Sequence, residues 1–275
     1  MRTFISILLF TCSIFASNAQ TTTEEVAGKV QQATDSLTIE QKVLAISLAE
    51  QIMLSAVDSV MNEGMYMQAL EMLDSIQVNW KKITDMEPSA RMYLMKGQIL
   101  MSLEEWEELV QTTTECISVH KDDIQDKVAA IIFSMQGSAY RNLENYKSAI
   151  RSYEYGLSYY NKSGDLGSQG DMMCSMANCY VQIGKTSMAS SFYEKGFAKF
   201  LDYFGTTRSA LLKGKFYVQD TYMKSVLGVF SSHLMGMAVH EQNCGDRVAS
   251  KEFLRMSANC GNSHAQSEYE RIYGY

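Results

Sequence analysis

The chain has 275 residues, with 24 Lys and Arg against 31 Asp and Glu, a formal charge of −7, six cysteines, 19 methionines and one proline, Pro88. An acidic balance argues against a chain built to hold phosphate backbones or anionic lipid by charge, so no nucleic-acid partner is expected. The near absence of proline, against about 5 per cent on average, leaves long helices uninterrupted.

The N-terminus reads as a targeting segment. Met1 and Arg2 form a basic start, Phe4 to Ala16 is mostly apolar, and Ser17-Asn18-Ala19 ends the run with small residues. That pattern predicts a signal peptide over 1–19, cut before Gln20. A thirteen-residue stretch is too short for a membrane span, which needs about 20. Lipid attachment at Cys12 is disfavoured, because Phe10-Thr11 precede the thiol and the apolar run continues past it. The expected product is exported through a cleaved signal peptide, periplasmic or secreted, in a bacterium. It would meet a membrane only through a partner. Its charge would be −8, since 1–19 holds one basic and no acidic residue.

Residues 20–36, rich in Thr, Gln and Glu, read as a polar leader. A first helix is expected from near Thr38, whose spacing to Gln41 suits a capping box, to about Met61. From there internal repetition dominates. Segments 93–109, 133–149 and 173–189 align without gaps, so that Gly97, Gly137 and Ala177 share a column, as do Leu100, Tyr140 and Tyr180. Further columns hold Leu109, Ala149 and Ala189, then Thr113, Tyr153 and Tyr193. One step back lie Val57, Val60, Ala69 and Leu73, with Asn62-Glu63-Gly64 as the turn. Within a unit, Val128, Ile132, Met135 and Ala139 recur at steps of three and four, and Tyr146, Ala149, Ile150, Tyr153 and Leu157 do so after the turn. Each unit therefore reads as two amphipathic helices. About four such repeats are expected over 37–200. Residues 201–222 read as a connector or a degenerate repeat, with Gly205 as a helix stop and Thr206 or Thr207 as a start.

These columns resemble the tetratricopeptide repeat of the 40-residue type: a small residue, an aromatic three later, an alanine at twelve and an aromatic four beyond. Gly137, Tyr140, Ala149 and Tyr153 carry the resemblance best, followed by Ala177, Tyr180, Ala189 and Tyr193. Val57 and Leu109 depart from it, and the family's proline near the end of each unit is missing. The C-terminal stretch 223–275 resembles a Sel1-like repeat with a capping helix, through Ala258, Gly261-Asn262, Ala265-Gln266 and Tyr273. The resemblance implies an all-α, right-handed solenoid of antiparallel helix pairs.

The search for chemistry finds little. After cleavage five cysteines remain, an odd number without a CxxC spacing, and no disulfide is expected. Cys244 and Cys260 would flank opposite ends of one helix. His233 and His240, seven apart, read as structural or solvent-facing histidines rather than metal ligands. No nucleophile motif or phosphate loop occurs, so neither enzyme activity, a cofactor, a metal nor a small-molecule substrate is expected. Asn161-Lys162-Ser163 is a glycosylation triplet without further support. What is left is a surface. By analogy with tetratricopeptide proteins, the concave lining would include Arg91, Leu94 and Gln98, then Ser134, Ser138, Arg141 and Asn142, then Asp171, Asn178 and Gln182. That lining implies a protein or extended peptide partner for an interaction scaffold. The other reading is a soluble sensory or regulatory partner of a membrane receptor or envelope complex.

Overall fold

The computed structural model describes residues 38–274 other than 85 and 219. The predicted signal peptide (1–19) and polar leader (20–36) lie outside the described residues. Among these residues every regular element is an α-helix, and consecutive helices pack as antiparallel pairs, in keeping with the expected all-α class. The chain divides into two units, residues 1–124 and 125–275.

The first unit holds α1 (Ile39–Asn62), α2 (Tyr66–Thr84), α3 (Ala90–Leu103) and α4 (Trp106–Val119). The first helix thus starts one residue after Thr38 and ends one after Met61, close to its predicted bounds. Val57, Ala69, Leu73, Leu100, Leu109 and Cys116 have no exposed surface and form the core between the helices. Pro88 is buried ahead of Ser89, whose hydroxyl caps α3 by accepting from the Met92 amide. A proline there ends what precedes and leaves the new helix intact. His120 secures the same corner through Nε2 and the Pro88 carbonyl at 2.8 Å.

The second unit holds α5 (Asp126–Asn142), α6 (Tyr146–Ser163), α7 (Leu166–Gln182), α8 (Thr186–Phe204), the short α9 (Arg208–Leu212), α10 (Thr221–Cys244), α11 (Arg247–Asn259) and α12 (Ser263–Tyr273). Ala149 and Ala189 are fully buried in the small column, as are Tyr153 and, within a few per cent, Tyr193 beside them. Glycines set the closest approaches. A Cβ on Gly156 would lie 3.3 Å from the Ala130 carbonyl, and one on Gly196 would lie 2.9 Å from the Gly170 carbonyl and 2.4 Å from Cys174 Sγ. Farther along, Phe200 stacks on Phe230 with ring centroids 4.6 Å apart, a geometry worth about 0.5–1.5 kcal/mol beyond burial.

One turn recurs in both units. Gly64, Glu104, Glu144 and Gly184 all take positive φ, forty residues apart. In each, the following amide reaches back to close the helix: Met65 to Val60, Glu105 to Leu100, Asn145 to Tyr140 and Lys185 to Tyr180. This is a Schellman ending, in which a left-handed residue satisfies the last carbonyls.

The 201–222 stretch proves to be a stop, a single turn and an extended link. Gly205 (φ 58) ends α8, Thr207 caps α9 by accepting from the Ala210 amide, and Asp220 caps α10. Asn259 of α11 fastens α9 from outside, donating to the Leu211 carbonyl at 2.7 Å.

Candidate interaction surface

In the second unit α5, α7 and α10 are the first helices of successive pairs, and the tyrosines of α6 and α8 reach between them. Tyr153 lies against Gly137, where a Cβ would fall 2.5 Å from its ring, and its hydroxyl meets Ser138 Oγ at 3.2 Å. Tyr193 repeats the arrangement one pair later, donating its hydroxyl to Asn178 Oδ1 and lying near Gly236. Asp171 accepts from His233 Nε2 at 2.8 Å, which links α7 to α10. His240 Nε2 meets Ser190 Oγ at 2.8 Å, linking α10 to α8. Both histidines are buried. Of the two roles the sequence leaves open, structural or solvent-facing, burial and these bonds fit the structural one, and the link of His233 to Asp171 was not foreseen. For the tyrosine contacts the sequence did hold a signal, the fifteen-residue step from Ser138 to Tyr153 and from Asn178 to Tyr193, which pairs a polar position with a deep hydroxyl.

The predicted lining residues fall into two groups. Ser138, Asp171 and Asn178 are half-buried and their side chains are engaged within the protein, while the Asn142 amide donates to the Ser138 carbonyl at 2.9 Å. Asn178 therefore carries a structural bond. Arg141, Ser134 and Gln182 make no side-chain hydrogen bond or ion pair among the described residues; Gln182 is exposed, the other two half-buried. The Arg141 charge is close enough to act on Tyr153 of α6 and Cys179 of α7. Burial holds the Tyr153 phenol up at about 12 and the Cys179 thiol up at about 11 against the opposing pull of the Arg141 charge. Arg91, Leu94 and Gln98 belong to the first unit, on α3, with Arg91 and Gln98 exposed and Leu94 half-buried.

Four of the five described thiols are dormant, the exposed Cys244 being the exception. Cys116, Cys174 and Cys179 have no exposed surface. Burial raises Cys174 well above the usual thiol range and pushes Cys116 and Cys260 up to about 12. A reactive cysteine needs the opposite shift. Among the described residues no group of three His, Cys, Asp or Glu is placed to hold a metal, and no helix is long and apolar enough to cross a membrane.

Residues 131–163, which span most of α5 and all of α6, match the tetratricopeptide-repeat family model. No curated protein sequence matches the chain. Among solved structures, BtubC (BKLC) from P. vanneervenii is similar at 9% identity and a TM-score of 0.60, over 92% of this chain and 90% of that one. The nearly identical TPR-like repeats of a Podosopora anserina kinesin light chain are similar at 12% identity and a TM-score of 0.56, over 79% of this chain and 94% of that one. MamA follows at 12% identity and a TM-score of 0.51, over 76% and 96%. These likenesses establish the tetratricopeptide-like helix-pair fold.

Proposed function

We propose that this protein is an exported, non-enzymatic scaffold that holds an extended segment of a protein partner against the first helices of its repeats. The observation that carries this reading is the layered lining of α5 and α7. Tyr153 and Tyr193 hold Ser138 and Asn178 by their hydroxyls, while Arg141 and Gln182 on the same helices have no side-chain hydrogen bond or ion pair among the described residues. A surface with fixed amide and hydroxyl groups and an available cation suits a peptide whose backbone is hydrogen-bonded and whose acidic group meets the guanidinium. The raised thiol pKa values argue in the same direction, because they leave those cysteines without nucleophilic character. The signal-like start over 1–19 supports export. We read α10 and α11 as a Sel1-like repeat with α12 as its capping helix, supported by the left-handed Gly261, the Asn262 cap and the fully buried Ala265.

The test is quantitative capture from envelope extract with wild type and with Arg141→Glu combined with Gln182→Ala. Both substitutions leave every described hydrogen bond in place, so helical circular dichroism and melting should stay near wild type. Partner recovery should fall at least tenfold, about 1.4 kcal/mol. Equal recovery by a well-folded double variant would remove the inner face as the working surface.

A further inference from the structure

A second feature lies in the first unit and shares no residue with the lining named above. A cleft of about 500 Å³ opens between α2, α3 and α4, bordered by Asp74, Gln77 and Lys81 of α2, Glu87 and Pro88 of the following loop, Tyr93 and Lys96 of α3, and Thr112 and Glu115 of α4. One buried polar atom of its wall is left over, and one hydroxyl beside it is uncommitted. Gln77 Nε2 is shielded from solvent and has no hydrogen-bond partner. The Thr112 hydroxyl, on a residue 4% exposed, makes no hydrogen bond among the described residues. Each buried polar group without a partner carries a desolvation penalty that a core ordinarily avoids.

The neighbouring groups are held in place. Tyr93 donates its hydroxyl to Glu115 Oε1 at 2.9 Å, which leaves the second carboxylate oxygen open. Lys96 bridges Asp74 at 2.8 Å and Glu108 at 3.0 Å, and Lys81 pairs with Glu87. Three carboxylates line the cleft against two ammonium groups, and Glu108 adds a fourth negative charge through Lys96. The cleft thus offers an amide donor for a carbonyl, a hydroxyl for an N–H or carbonyl, and a net negative charge centred on Glu115.

We infer that this cleft binds an extended peptide segment that carries a lysine or arginine. A backbone carbonyl accepts from Gln77, the adjoining N–H donates to Thr112, and the basic side chain meets the open oxygen of Glu115. The proposal rests on the reading that the protein's partner is a polypeptide, but on different residues from the inner-face site.

The test uses the isotopically labelled full chain and two capped tripeptides, acetyl-Ala-Arg-Ala-amide and acetyl-Ala-Glu-Ala-amide, titrated by NMR. The arginine peptide should shift the Gln77 side-chain amide and the Thr112 and Glu115 signals with millimolar saturation, and bind at least tenfold more tightly than the glutamate peptide. Glu115→Gln, which can still accept from Tyr93, and Thr112→Val should each weaken the arginine peptide severalfold. Thr112→Val should melt at or above the wild-type temperature, because it removes a hydroxyl that nothing in the described fold uses. Arg141→Glu should leave the titration unchanged, whereas partner capture by that variant reports on the inner face alone. The assignment is overturned by any of four results: no saturable shift at the cleft, equal binding of the two peptides, undiminished binding in both cleft variants, or a clear loss of stability in Thr112→Val.

Discussion

Glu144→Gly should stabilise the protein although it deletes a side chain from the end of a helix. Glu144 has φ 58 and occupies the left-handed position of the turn between α5 and α6. At the equivalent position one pair later stands Gly184, with φ 72 and the same two closing hydrogen bonds. A side chain in that conformation costs about 1–2 kcal/mol, while glycine loses about 0.5–1 kcal/mol more chain entropy on folding. Glu144 also sets a negative charge beside the carbonyl end of α5, which adds a few tenths of a kcal/mol. The net expected gain is about 0.5–1 kcal/mol, or about 1–4 °C in melting temperature for a protein of this size. Gly184→Glu should lose a comparable amount, since nothing lies within 4 Å of a Cβ at Gly184 and the backbone angle alone sets the cost. Urea unfolding followed by helical circular dichroism measures both. A destabilised Glu144→Gly, or an unaffected Gly184→Glu, would refute the assignment of these turns.

Gly196→Ala should destabilise by about 1–3 kcal/mol in the same assay, because the new methyl meets Cys174 Sγ and the Gly170 carbonyl in a close-packed crossing. Gly228→Ala, in open space on α10, should stabilise by about 0.5–1 kcal/mol through helix propensity. Identical signs for the two would contradict the packing described. Alkylation at pH 8, read by peptide mass spectrometry, should modify the exposed Cys244 quickly and Cys116, Cys174, Cys179 and Cys260 slowly. Burial pushes the Tyr153 and Tyr160 phenols up to about 12, so the folded state holds protons that the unfolded state releases near pH 10. Their contribution is fully present below about pH 10 and is lost as pH rises towards 12, and the urea midpoint should fall across that window. A midpoint that is flat from pH 10 to 12 would count against those burials.

The helix pairs were legible because the small and aromatic columns repeat at helical steps. Ala149 and Ala189, with Tyr153 and Tyr193 beside them, occupy the core as their spacing implies. The turns were harder to read, because Glu104 and Glu144 take a conformation that their residue type disfavours. The contacts of Gly156 and Gly196 with preceding-helix carbonyls escaped notice, since a lone glycine inside a helix looks like a weakness until its neighbour is seen. The internal bonds of the expected lining residues were not legible. The repeat placed Ser138 and Asn178 in one column but could not tell that tyrosine hydroxyls from the layer below engage them. The cleft of the first unit left no trace, because its residues come from three helices and follow no period.

Photo-crosslinking from single positions tests the central claim most directly. A benzophenone amino acid placed at Asn142 or Gln182, exposed on the first helices, should form adducts with the captured partner. The same group at Lys147 or Glu194, exposed on the second helices, should form none. Adducts confined to 142 and 182 are the result the scaffold reading predicts. Equal adducts from all four positions, or adducts from 147 and 194 alone, would contradict it.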